Sequence, residues 1–120
     1  MDEPHKIKPI VWIGSSLRTL KSFPSEVNDV IGYALYQAQL GRKSPVAKPL
    51  SGFGGASVME IVEDFQTDTY RAVYTVKFSK AIYVLHVFQK KSKRGIATPK
   101  PDIDLIRKRL KLAEEHYTTR

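Results

Sequence analysis

The chain of 120 residues contains no cysteine. This excludes a disulfide framework, a thiol nucleophile and a thiolate metal site. No apolar run reaches the ~18 residues that a membrane span needs. The N-terminal "MDEPHKIKPIVWIG" lacks the apolar stretch and small-residue cleavage site of a secretory leader, so a cytoplasmic location and no membrane partner are expected. Histidine is scarce: His5, His86 and His116 lie far apart and make no zinc spacing. Acidic residues are outnumbered, 12 against 20 Lys and Arg, leaving a net charge of +8. Hydrophobic residues make up 42%, a globular proportion, and the length suits one domain, residues 1–120 with a core of about 7–115.

The positive excess is concentrated. Residues 1–85 hold 10 Lys/Arg and 8 Asp/Glu, whereas residues 86–111 hold 9 and 2. The stretch "HVFQKKSKRGIATPKP" and the segment after it therefore carry almost all of the charge. A basic patch of this kind marks a polyanion partner; an acidic protein or a merely solvated helix face are the other readings.

Periodicity gives the order β-α-α-β-β-β-α. "IKPIVWI" reads as a strand that Pro9 confines to an edge or a start. "SSLRTLKSF" is a short helical turn. A second helix follows Pro24 and runs to about Leu40, with Gly41 as its stop. Val27, Val30, Ile31, Ala34, Leu35 and Ala38 form one apolar stripe, flanked by Tyr33 and Tyr36. The glycines of "SGFGGAS" lack the Gly-Lys-Ser/Thr ending of a phosphate loop, and a β-like segment follows them, so they serve a tight approach to a strand. Segments 57–65, 70–78 and 81–89, joined by short links, predict an antiparallel meander. Thr98 is a candidate N-cap and Pro99 a first helical residue. The last helix carries Ile103, Ile106, Leu110 and Ala113 on one side, with Leu105 and Leu112 nearly opposite.

A two-residue turn at Ser79-Lys80 sets Arg71 opposite Phe88 and Val73 opposite His86. Alternation then predicts one face with Tyr70, Ala72, Tyr74, Val76, Tyr83, Leu85 and Val87, packed on the helices. The other face gathers Arg71, His86 and Phe88, with Lys90 beyond. Such a grouping fits metal-independent RNA cleavage. Arg71 would clamp a phosphate through its planar fork. Phe88 would stack a base, and Lys91, Lys93 and Arg94 would hold the backbone. His86, the one side chain there that titrates near neutrality, would move the proton. Lys90 as a base would need its pKa lowered by about 3 units. The plainer readings are an Arg71 ion pair with Glu60 or Glu63, a satisfied sheet histidine, and a core phenylalanine.

"VYTVKF-x2-AIYVLHVFQKKSKRGIATPKPDIDLIRKRL", "EVNDVIGYALYQAQLG" and "KPLSGFGGASVMEIV" resemble the phage-derived branch of HigB toxins in the RelE/ParE superfamily, over about residues 8–115. The resemblance implies a small α+β domain, a curved, mainly antiparallel four-stranded sheet with helices packed on one side. It implies the toxin of a type II toxin–antitoxin pair that cuts mRNA on the translating ribosome without metal or cofactor. Its partners would be mRNA, the ribosome and a cognate helix-turn-helix antitoxin, an acidic segment of which would cover the basic site. Arg71, His86 and Lys90 are the catalytic candidates, with Phe88, Lys91, Lys93 and Arg94 for RNA binding. His116 and Tyr117 are the candidates for the C-terminal residue that several relatives use. A non-catalytic ParE-like poison of DNA gyrase and an inactive nucleic-acid-binding module are the alternatives.

Overall fold

The computed structural model describes residues 7–91 and 97–119. The elements are β1 (Ile10–Trp12), α1 (Ser16–Lys21), α2 (Ser25–Gln39), β2 (Ala47–Pro49), β3 (Val58–Phe65), β4 (Asp68–Thr75), β5 (Ile82–Lys90) and α3 (Lys100–Thr119). They form an α+β domain around one open sheet of order β1-β5-β4-β3-β2. β2 to β5 pair antiparallel, and β1 lies parallel to β5. The expected meander is present. The strand count is five rather than four, because Ala47–Pro49 adds an edge strand within what reads as a loop.

A second difference is larger. Helices cover both faces of the sheet, not one. Ala72 and Tyr74 pack with Val27, Ile31, Ala34 and Leu35 of α2, together with Leu20 of α1. Val73, on the opposite side of β4, packs with Ile106 and Ala113 of α3. Of the stripe on α2, Val27, Ile31, Ala34, Leu35 and Ala38 face inward as their spacing predicts, whereas Val30 lies half-buried beside the exposed Tyr33, and Tyr36 is exposed too.

The register explains which side chain faces which helix. Arg71 pairs with Phe88 and Val73 with His86, as the turn predicts, but Tyr74 pairs with Val84. A bulge therefore places one extra residue, Leu85, on β5. A bulge residue reverses the alternation beyond it. Leu85 and Tyr83 turn toward α3, while Val84 and Ile82 turn toward α2. The expectation that Tyr74, Tyr83, Leu85 and Val87 share one face is thus corrected: Tyr74 and Val87 face α1 and α2, whereas Tyr83 and Leu85 face α3.

Candidate functional site

The face beneath α3 brings together most of the residues singled out by sequence. Arg71, on β4, points toward α3 and is only 2% exposed. Its Nη1 donates to Glu60 Oε2 on β3 at 3.2 Å and to Thr98 Oγ1 at 3.2 Å. Thr98 in turn donates to the same Glu60 oxygen at 2.7 Å. A guanidinium this deep needs a carboxylate, because an unpaired buried charge is costly. Glu60 reaches it diagonally, since Glu60 sits opposite Val73 on the neighbouring strand. Thr98 is therefore engaged with the sheet rather than capping α3 as expected. At that end of the helix the Ile103 amide instead donates to the Pro99 carbonyl.

His86 lies two register positions away on β5 and is also buried. Its Nε2 donates to Asp102 Oδ1 at 2.7 Å, and its Nδ1 faces Arg109 Nη1 at 3.5 Å. Burial lowers the His86 pKa below its usual value, against the opposing pull of the Asp102 hydrogen bond and charge. The imidazole is thus neutral near pH 7, with its proton on Nε2 and its lone pair toward Arg109. Phe88 stacks on it, ring centres 4.6 Å apart and planes 15° apart. Arg109 also donates to the Leu85 carbonyl at 2.9 Å, so it holds the bulge as well as the histidine. Gly14 makes room for it: at φ +60, an added Cβ would lie 2.8 Å from Arg109 Nη2.

Asp102 and Arg109 are functional candidates that sequence reasoning missed, although a signal existed. Asp102, Ile106, Arg109 and Ala113 fall at i, i+4, i+7 and i+11, so two charges share the buried stripe of α3 with two of its core residues. Charges on a core-facing stripe need partners inside the fold.

Lys90 ends β5, half-buried opposite Thr69, and Lys91 follows it in the open. Lys93 and Arg94 lie outside the described residues. A cleft of about 430 Å3 leads to the Glu60–Thr98 pair from the other side, with Lys48 and Arg107 at its walls. Arg107 is fixed there by a 2.8 Å bond to the Gly52 carbonyl and lies over the Phe53 ring at 4.5 Å. His116 and Tyr117 do not join this group. They sit at the far end of α3, where His116 Nδ1 meets the Tyr83 hydroxyl at 2.6 Å and Tyr117 stacks on Phe78.

The arrangement supplies a cationic fork, a neutral imidazole and an aromatic ring on one sheet face, with lysines at the strand's end. It also ties Arg71 and His86 to the start of α3. Both imidazole nitrogens and the Nη1 of Arg71 are occupied by protein partners.

Among solved structures, the fold is similar to a chain of the RelBE2 toxin–antitoxin complex from Mycobacterium tuberculosis, at 18% identity and a TM-score of 0.47, covering 76% of this chain and 100% of that one. No curated protein matches the chain. The family model described as "Phage derived protein Gp49-like" matches residues 18–111, from α1 through most of α3. The chain belongs to this phage-derived Gp49-like family, the branch that its residues resemble.

Proposed function

We propose that the protein is the toxin of a type II toxin–antitoxin pair and a cytoplasmic, metal-independent endoribonuclease acting on mRNA at the translating ribosome. Its partner is a cognate helix-turn-helix antitoxin. The observation that carries this reading is the convergence of Arg71, His86 and Phe88 on one face beside Lys90 and Lys91.

In the proposed reaction a base takes the 2′-hydroxyl proton, and the 2′-oxygen attacks the adjacent phosphorus. The bond to the 5′-oxygen breaks, and that oxygen takes up a proton, leaving a 2′,3′-cyclic phosphate. His86 suits the base because burial keeps it unprotonated near pH 7. Arg71 suits the phosphorane, whose negative charge a guanidinium fork stabilises. Lys90 adds charge at the same phosphate. Phe88 stacks a base adjoining the cut, and Lys91, Lys93 and Arg94 hold the backbone. Thr98 and Asp102 hold Arg71 and His86 in the closed arrangement. RNA therefore reaches them only when the start of α3 withdraws from the sheet, which takes Thr98 and Asp102 away from both residues together and leaves Arg71 beside Glu60.

The alternative is a non-catalytic toxin that binds a protein target such as DNA gyrase. The burial and internal pairing of Arg71 and His86 favour it, because residues spent on holding α3 need no second role. Primer extension on mRNA from induced cells separates the two readings. Cuts at codon-related positions that survive chelation of metal are expected from the ribonuclease. Intact mRNA with gyrase-dependent DNA breaks is expected from the alternative.

A further inference from the structure

The opposite side of the sheet carries a cavity that the proposed reaction does not use. It lies at the C-terminal end of α2 and measures about 290 Å3. Ala38, Pro49, Met59 and Val76 give it aliphatic walls, and Lys8, Arg42 and Lys43 stand around it. No carboxylate lines it. None of these three cations forms an ion pair among the described residues.

Two further observations point to an occupant. Tyr74 lines the cavity with its ring buried, and its hydroxyl, which bonds no other described residue, reaches the open space of the cavity. Burial pushes its pKa up to about 12, so the hydroxyl stays protonated and remains a donor. Val76, by contrast, is 38% exposed at the cavity's edge, a β-branched apolar residue facing water. A separate hollow is lined by Tyr33, 62% exposed, with Val30, Val46 and the carboxylate Asp29. Exposed apolar surface rimmed by charge, as Val76 and the cavity walls are by Lys8, Arg42 and Lys43, marks a docking site.

The chemistry selects the occupant. A nucleobase needs an open ring to stack on or several edge partners, and this cavity offers only aliphatic walls and one hydroxyl. A single large apolar side chain fits the walls, a backbone or side-chain carbonyl would accept from Tyr74, and carboxylates would meet the three cations. We propose that this cavity docks an acidic segment of a partner protein, which inserts one apolar side chain between Met59 and Val76 and places its carboxylates on Lys8, Arg42 and Lys43. On the reading above, that partner is the antitoxin. It would then grip the sheet face opposite Arg71 and His86, rather than only covering the basic site.

The test requires no knowledge of the partner. A displayed library of random 12-residue peptides is panned against the full chain. The winners are measured by titration against wild type, Val76→Asp, the pair Arg42→Glu with Lys43→Glu, and Lys90→Glu with Lys91→Glu. Expected winners combine several Asp or Glu with one Leu, Ile, Phe or Met, and shift the Met59 methyl resonance on binding. Their affinity should fall ~10-fold or more in the first two variants and change little in the third, the range typical of losing an interface anchor. Winners insensitive to Val76→Asp and to the Arg42/Lys43 reversal overturn the proposal, as does an empty selection. Winners lost only in the Lys90/Lys91 reversal would move the docking site to the end of β5. Self-association of the wild type that Val76→Asp abolishes would give the cavity to a second copy. The ribonuclease reading is scored separately, because Val76→Asp should leave mRNA cleavage in cells unchanged.

Discussion

The two faces of the sheet are built on different principles. The face under α1 and α2 is held by apolar packing: Val27, Ile31, Ala34, Ile61, Ala72 and Val84 are fully buried there. The face under α3 has a smaller apolar cluster and is closed by two polar clasps, Arg71–Glu60–Thr98 and His86–Asp102–Arg109. Apolar packing is insensitive to pH and has no reactive groups to release. A polar clasp is close to neutral in net stability when intact and costly when one member is lost. A face closed in this way holds its charged groups ready-made at the start of α3, beside an apolar cluster that Ile106 and Ala113 keep buried further along the helix.

The sharpest way to break this contrast is to remove one half of the buried pair. Glu60→Ala leaves the Arg71 guanidinium without its carboxylate and should cost about 3–5 kcal/mol in urea melts. Replacing both members together, with Arg71→Met and Glu60→Leu, should recover most of that loss. A double variant as unstable as the single one would show that the pair is not the clasp. On the apolar face, Ile31→Ala should cost about 2–5 kcal/mol with no pH dependence, through a cavity rather than a lost charge. Leu85→Ala, at the bulge under α3, should fall in the same range, and a loss below roughly 0.5 kcal/mol would contradict the burial assigned to it.

The pH dependence separates the faces further. Burial lowers the His86 pKa in the folded state, so the unfolded chain binds this proton more readily. Stability contributed by neutral His86 is therefore present above the usual histidine pKa of about 6.5 and declines as pH falls through it toward the lower folded value. His86→Gln should flatten that slope between pH 7.5 and 5.5 in denaturant melts, whereas Ile31→Ala should leave it intact. The smallest expected effect is at the surface. Lys91→Ala should leave stability unchanged within ~0.5 kcal/mol, and should lower the salt slope of single-stranded RNA binding by about 0.7.

Both faces were partly legible in the sequence. The stripe on α2 reads directly, because its spacing runs unbroken over three turns. Arg71, His86 and Phe88 fall together as a two-residue turn predicts, but the register beside the turn is one residue off and the bulge at Leu85 restores the predicted pairing beyond Tyr74. The bulge at Leu85 does not read, because "AIYVLHVF" is apolar on both faces and alternation has nothing to register against. That same two-sided run carried the information that was missed: a strand apolar throughout is covered on both sides, which places a helix on each. β2 was hidden by its length, since "AKP" is too short to alternate and contains a proline. The partners of His86 escaped notice because Asp102 and Arg109 read as solvent charges until their spacing is compared with that of Ile106 and Ala113.

The central claim is that the α3-covered face acts on RNA. The measurement that tests it most directly is primer-extension mapping of mRNA in cells expressing wild type, Arg71→Ala, His86→Ala and Lys90→Ala at equal levels of folded protein, with Lys90→Ala the variant least exposed to folding defects. The account predicts codon-related cuts with wild type, and a ~10²-fold or greater loss with His86→Ala if it moves the proton. It also predicts loss of cleavage and of growth arrest with Arg71→Ala and Lys90→Ala. Full toxicity and unchanged cuts in all three variants would contradict it, and growth arrest without any mRNA cleavage by the wild type would give the protein to the gyrase-type reading.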